Sequence, residues 1–246
     1  MAIVVALPAA ISQRSTAQVY QHEKIVYLDE GGQPTKDKKA VQLHQIIQLD
    51  DTLWEFNYYK MNGPRIKSFR TNDASGIVLN GRYISYSASG WADTIGDYVK
   101  GRRNGYWSIF SPVGRLTQVR FYKDDGLIWS KDSTKEKLNP DSANFTEAEF
   151  AGGKMAWLRF LNHTLRYPDD AVNKNIMGEV IFSFFVDSTG HIPENSVYID
   201  RSIAYSLDRE TIRVILASPP WTPASFNGRP ANSYQRQPLV FRLESQ

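Results

Sequence analysis

The stretch Gly178-Glu179-Val180-Ile181-Phe182-Ser183-Phe184-Phe185-Val186 decides how the second half of the chain folds. Val180, Phe182, Phe184 and Val186 recur at every second position with Glu179 and Ser183 between them, and successive side chains of a strand point to opposite faces. The segment reads as a strand with one apolar face, which needs a partner layer. Downstream, Gly190 supplies a turn and residues 196–200 return as a second strand with Val197 and Ile199 together, so the two are expected to form a hairpin. Upstream, after Gly152-Gly153, the residues Met155, Leu158, Leu161 and Leu165 fall at helical spacing. That helix must stop before Pro168, because a proline drives the preceding Tyr167 out of the α region. A short helical turn through Asp169, Asp170 and Ala171 follows.

Beyond the hairpin, Ser206 is placed as the N-cap of a second helix, with Asp208 and Glu210 in its first turn, where they favour the positive end of the dipole. Leu207, Thr211, Val214 and Ile215 share one face of it, and Pro219-Pro220 ends it. After a turn at Asn227-Gly228, residues 231–243 form a last strand with Leu239, Phe241 and Leu243 on one face. Pro238 inside this strand cannot donate a ladder hydrogen bond, so the strand is expected at an edge or bulged. This order predicts an α+β fold for residues 147–246, a two-layer α/β domain with two helices on one face of a small antiparallel sheet.

The first half has another character. Gly81-Arg82-Tyr83-Ile84-Ser85-Tyr86-Ser87-Ala88-Ser89-Gly90 returns 24 residues later as Gly105-Tyr106-Trp107-Ser108-Ile109-Phe110-Ser111-Pro112-Val113-Gly114, and Tyr98 lands on Tyr122. A looser copy starts at Phe56, with Tyr59 and Gly63 in the places of Tyr86 and Gly90. Aromatic and β-branched residues suit half-buried strands, and the glycines allow tight reversals, so each copy reads as a hairpin. Single hairpins are too small to stand alone, and a meander of stacked hairpins is expected over residues 18–130. Residues 54–129 resemble MORN-type repeats through the pattern Gly-x-Trp/Tyr-x-x-Tyr/Phe-x-x-x-Gly, a resemblance that implies a scaffold or binding surface. Residues 131–146, polar and containing Pro140, read as the linker.

Composition limits what the chain can do. It has 246 residues, 41% of them hydrophobic and 13% aromatic, which is enough to bury a core in about one or two domains. Cysteine is absent, which excludes disulfides, thiolate metal sites, cysteine nucleophiles and a lipid-bearing cysteine. The net charge of +3 is uneven: residues 1–140 hold 19 basic and 14 acidic side chains, and residues 141–246 hold 10 and 12. The short clusters Lys36, Lys38, Lys39 and Lys100, Arg102, Arg103 read as solvated turns rather than the basic stripe of a nucleic-acid binder.

Residues 1–11 are apolar, and the small residues Ser15 and Ala17 follow at the spacing of a signal-peptidase site. Residues 1–17 therefore read as the remnant of a secretory signal, although no Lys or Arg precedes Arg14. The other readings are a start that lies elsewhere and a frayed terminus. Eleven helical residues span only about 16 Å of a ~30 Å hydrocarbon core, so the stretch is too short to cross a membrane.

Leu165-Arg166-Tyr167-Pro168, Gly178 with the alternating strand after it, Gly190-His191-Ile192, Leu207-Asp208, Trp221-Thr222-Pro223 and Gly228-Arg229-Pro230 closely resemble the TonB C-terminal domain family over residues 147–243. The resemblance implies a periplasmic domain whose last strand pairs with the TonB box, a short extended segment of outer-membrane transporters, and so takes part in energy transduction for siderophore or nutrient uptake. It also implies no cofactor and no nucleic acid, with membranes reached only through partners. The partner-binding edge is placed at Ser233, Tyr234, Gln235, Arg236 and Gln237. About four added hydrogen bonds there, at ~0.5 to 1.5 kcal/mol each, make a contact near millimolar.

No enzyme motif competes. His163 near a helix end and His191 in a turn read as surface histidines, and Asp169-Asp170 after Pro168 reads as a helix start before a metal site. No H-E-x-x-H, G-x-S-x-G or phosphate-loop pattern occurs, and no catalytic, cofactor or metal residue is expected. The alternative is a non-enzymatic envelope scaffold or adaptor that binds another envelope protein through the repeat region.

Overall fold

The computed structural model describes residues 22–133 and 144–243, together with the backbone of β1 (Ile3–Leu7). These residues fall into two compact units, one built from residues 22–133 and one from residues 3–7 with 144–243. The expected cleavage region at Ser15 to Gln18 lies outside the described residues, as does Pro140 in the middle of the expected linker.

The first unit is a single antiparallel sheet of nine strands in sequence order. They are β2 (His22–Leu28), β3 (Gln42–Asp50), β4 (Leu53–Lys60), β5 (Arg65–Thr71), β6 (Leu79–Tyr86), β7 (Ala92–Val99), β8 (Arg102–Phe110), β9 (Leu116–Lys123) and β10 (Gly126–Asp132). The 24-residue repeat is a hairpin, β6 with β7 and then β8 with β9. Its turn recurs bond for bond: Ser87 N–H donates to Trp91 O (2.8 Å) and Gly90 N–H to Ser87 O (3.0 Å), as Ser111 does to Arg115 (2.8 Å) and Gly114 to Ser111 (2.9 Å). The looser copy makes the same turn between β4 and β5, where Lys60 bonds to Pro64 and Gly63 to Lys60, both at 3.1 Å. The reversals between copies repeat as well, at Lys100-Gly101 and Asp124-Asp125, each with two positive φ angles, the backbone of a two-residue hairpin loop.

The repeated aromatics share one face. Tyr83 and Trp107 lie with ring centroids 5.9 Å apart, Tyr98 meets Trp107 edge-on at 5.2 Å, and Trp107 meets Tyr122 at 6.0 Å. Trp107 can lie across β7 because residue 96 is glycine, where a Cβ would come within 2.2 Å of the indole. The opposite face carries a buried polar run: Asn57 Nδ2 donates to Gln45 Oε1 and Glu55 Oε1, both at 3.1 Å, and Glu55 pairs with Arg70 at 2.9 Å.

The second unit contains β11 (Phe145–Thr146), α1 (Gly153–Thr164), α2 (Asp169–Asn173), β12 (Gly178–Val186), β13 (Tyr198–Arg201), α3 (Tyr205–Leu216), β14 (Ala224–Phe226), β15 (Arg229–Ala231) and β16 (Ser233–Leu243). The main sheet has the order β1-β16-β12-β13, and β11, β14 and β15 form a small second sheet. The alternation in β12 is realised: Val180, Phe182, Phe184 and Val186 are buried, and β12 and β13 form the expected hairpin. Leu207, Thr211, Val214 and Ile215 form the buried face of α3. The fold is α+β, with an all-β sheet followed by a small sheet and helices.

Several local expectations are corrected. Helix α3 begins at Tyr205 with Ala204 as its extended N-cap, so Ser206 caps nothing. The side chain that orders this start is Asp208, which is fully buried and accepts a hydrogen bond from Ser202 Oγ at 2.7 Å. Glu210 is buried too; it accepts the Arg166 N–H at 2.6 Å and pairs with Arg213 at 2.7 Å, tying α3 to the end of α1 rather than merely answering a dipole. Met155 is 64% exposed, and Trp157 with Leu161 forms the buried stripe of α1. Ser196 lies in a 3-10 turn ahead of β13. Ala231 belongs to β15, because Asn232 breaks the strand and its Oδ1 accepts the Ser188 N–H at 2.8 Å. The ends of the expected linker are strand, with Lys131 and Asp132 in β10 and Phe145 and Thr146 in β11.

Candidate binding edge

Strand β16 is the longest of its sheet, and β12 covers one side of it from Ser233↔Val186 to Phe241↔Gly178. Its other side is not the simple edge expected. β1 pairs with it in parallel from Ile3↔Leu239 to Leu7↔Leu243, so the main sheet is mixed and the last five residues of β16 are covered. Among the described residues, no strand pairs with residues 233–238 on that side.

Pro238 determines which backbone groups this stretch presents. It stands opposite Ile181 with the ladder continuing on both sides, and a proline costs no ladder bond only at a non-hydrogen-bonded pair, where polar groups point away from the partner. By alternation, the N–H and C=O of Tyr234 and Arg236 and the C=O of Pro238 point away from β12, and the Pro238 C=O lies where the first β1 bridge, Ile3↔Leu239, uses it. Ahead of β1 that side thus presents two donors and two acceptors, and Pro238 marks where the donor series stops.

The side chains alternate accordingly. Ser233 and Gln235 are buried on the helical face, and Gln235 Nε2 donates to Glu147 Oε2 at 3.1 Å. Tyr234 is exposed on the other face, edge-on to Phe185 at 5.2 Å. On that face Arg236 Nε donates to Asp200 Oδ2 at 2.8 Å, and Ser183 Oγ reaches the same oxygen at 2.6 Å. Gln237 lines a pocket of about 300 Å³ together with Phe150, Trp157 and Trp221 and the exposed residues Glu149 and Lys154. Neither this pocket nor the pairing of β1 with β16 was expected from the sequence. The spacing of Phe150, Trp157 and Trp221 shows no common period that would bring them together.

The other motif residues build the platform under this edge. Gly190 has φ +87°, and a Cβ there would meet the carbonyl oxygen of Trp221 at 2.0 Å; the Trp221 N–H donates to Gly190 O at 2.8 Å. This contact locks the β12–β13 turn against the segment that presents the Trp221 indole. Tyr167 Oη donates to Ile176 O at 2.8 Å and packs edge-on to Phe241 at 5.7 Å, and burial raises its pKa. Pro168 caps α2, Gly178 opens β12 against Ile203, Leu207 is fully buried, and Pro223 precedes β14. Asn227 and Gly228 carry the two positive φ angles of the β14–β15 turn. In the turn after β12, hydrogen bonding from Thr189 and the backbone holds the Asp187 carboxyl below its ordinary pKa.

His163 and His191 are both exposed, and His191 Nδ1 shares a hydrogen bond with Thr189 Oγ1 at 2.9 Å. Asp169 and Asp170 open α2, as a helix start should. Among the described residues, no three His, Asp or Glu side chains gather as a metal site, and no helix is long and apolar enough to cross a membrane.

No curated protein and no solved structure matches the chain. The family comparison does match, and it begins at the end of α1, so Phe150 and Trp157 lie ahead of the matched segment. Residues 163–243, most of the second unit, match the family described as Gram-negative bacterial TonB protein C-terminal.

Proposed function

We propose that the second unit is a strand-capturing domain of the TonB type, which works in the periplasm with TonB-dependent transport across the outer membrane. The observation that carries this reading is that, among the described residues, no strand pairs with β16 over residues 233–238 on the side away from β12. Its partner is an extended segment of an outer-membrane transporter, a TonB box, or a similar segment of another envelope protein, added beside Ser233, Tyr234, Gln235, Arg236 and Gln237. Main-chain bonds supply the affinity in this mode of recognition. About four of them at ~0.5 to 1.5 kcal/mol each, less the cost of ordering the peptide, give a contact no tighter than about micromolar to millimolar.

Titration of the isotope-labelled full chain with TonB-box peptides, followed by NMR, tests the reading. Amide shifts of Tyr234 and Arg236, at positions facing away from β12, are expected to lead the response. No shift at millimolar peptide, or shifts only in the nine-stranded sheet, would overturn it.

A second reading is favoured by one observation. Strand β10 is exposed along its whole length, and Trp129 forms a cluster with Phe121 and Tyr106 at its open end, with centroids 5.0 to 6.3 Å apart. Such an edge suits an envelope scaffold. Photo-crosslinking from position 127 and from position 236 of the full chain separates the two readings, since a partner captured only from 127 favours the scaffold.

A further inference from the structure

The pocket lined by Phe150, Trp157 and Trp221 lies where a strand added to β16 would need it. The three rings form its wall, with centroids 5.2 to 5.8 Å apart. Gln237 lines it, whereas Phe182, opposite Gln237 on β12, does not. Trp221 in its wall also packs edge-on to Phe184 of β12 at 5.0 Å, so the pocket opens on the helical face of the sheet beside Gln237. At about 300 Å³ it stands at the lower limit of small-molecule sites, the size for a single large side chain.

The chain itself shows how a strand meets this edge. β1 runs parallel to β16 with Ile3 opposite Leu239. In the same register, the residue two positions earlier in an added strand stands opposite Gln237. Paired residues of neighbouring strands point to the same face, so that side chain is directed to the face on which the pocket opens. The residues before and after it point to the outer face, near Tyr234 and Arg236.

We propose that this pocket is the specificity socket of the binding edge. It accepts one bulky apolar side chain from a parallel partner strand, at the position opposite Gln237. The partner is thus an extended segment with a large aliphatic or aromatic residue there and strand-forming, largely β-branched residues on either side of it. This rests on the strand-capture reading and adds side-chain selection to its main-chain bonds. Exposed Glu149 and Lys154 at the rim leave the pocket with no net charge, so a charged side chain finds no compensation inside it.

The test uses the full chain carrying Val5→Pro, which keeps β1 from competing for the edge. The probe is a ten-residue peptide, Lys-Thr-Val-Thr-Val-X-Thr-Ile-Val-Lys, with X as Leu, Ala or Asp, so that X stands opposite Gln237 and the four residues before it run beside residues 233–236. The Leu peptide is expected to shift the amides of Tyr234 and Arg236 and the indole N–H signals of Trp157 and Trp221. The Ala peptide should bind about 10- to 100-fold more weakly with little movement of the indoles, and the Asp peptide more weakly still. Variation is confined to the peptide, so folding of the protein does not enter. Amide shifts along the edge with less than a threefold spread among the three peptides, or with silent indoles, overturn the socket and leave strand capture standing. Indole shifts without edge shifts also overturn it, and no response to any peptide removes strand capture and the socket together.

Discussion

Replacing Arg236 with proline separates the two sides of β16. If Arg236 N–H points to the free edge, as the placement of Pro238 requires, Arg236→Pro removes a donor that only an added strand uses and leaves the β12 ladder whole. The fold then loses chiefly the Arg236–Asp200 pair at 2.8 Å, whose arginine side chain is 54% exposed, and such a pair contributes about 0 to 1 kcal/mol. Gln235→Pro is the contrasting variant. Its N–H points at Phe184 of β12, so a ladder bond is lost and the ring collides with its neighbour, at a cost of about 3 kcal/mol or more. For a unit of this size that lowers the melting temperature by roughly 12 °C or more.

Binding should respond in the opposite sense. Arg236→Pro deletes a bond worth about 1 kcal/mol and places a pyrrolidine ring where the partner carbonyl would sit, so capture of an extended peptide should weaken about tenfold or more. Arg236→Ala, which also loses the Asp200 pair but keeps the N–H, should bind nearly as the parent does. Thermal unfolding by circular dichroism and peptide titration by NMR on the three variants provide the readouts. An Arg236→Pro chain as unstable as Gln235→Pro would refute the assignment of backbone directions. A stable Arg236→Pro chain that binds with parental affinity would refute the edge as the docking site.

The remaining tests concern the platform and the repeat sheet. Gly190→Ala combines left-handed strain of about 1 to 2 kcal/mol with an overlap against Trp221 O, and should cost about 3 kcal/mol in urea unfolding; a loss below 1 kcal/mol would show that the clamp is slack. Glu55→Ala removes the carboxylate from buried Arg70 and should cost about 3 to 5 kcal/mol, while replacing both residues by methionine should recover most of it. His44 stacks on Tyr58 at 3.6 Å, and burial, with Lys67 nearby, lowers its pKa below the ordinary 6.5. In the unfolded chain His44 takes up its proton first as pH falls, so its share of stability is present above about 6.5 and is lost on acidification through the folded-state pKa. His44→Phe should flatten the fall in melting temperature from pH 7 to 5, and an unchanged slope would place the titration elsewhere.

What the sequence disclosed, and what it concealed, follows from the range of the forces involved. The alternation of Val180, Phe182, Phe184 and Val186 and the 24-residue recurrence of Tyr83 and Trp107 are local periodicities, and each survived into the structure because burial of one face enforces it. The N-cap at Ser206 failed for a non-local reason: Asp208 is held by Ser202, so the incoming chain rather than the preferred capping residue sets where α3 begins. The binding edge was half legible. Pro238 advertised an unpaired side, but that β1 would take residues 239–243 is a pairing across more than 230 positions, which no local pattern encodes. The pocket was illegible for the same reason, since Phe150, Trp157, Trp221 and Gln237 are far apart in the chain and meet only in the folded unit, where the Gly190–Trp221 contact fixes the Trp221 segment. That dependence has a consequence for function. An edge that binds by backbone alone would accept almost any extended peptide, and the discrimination a transport partner needs has to come from residues that only the completed fold brings beneath it.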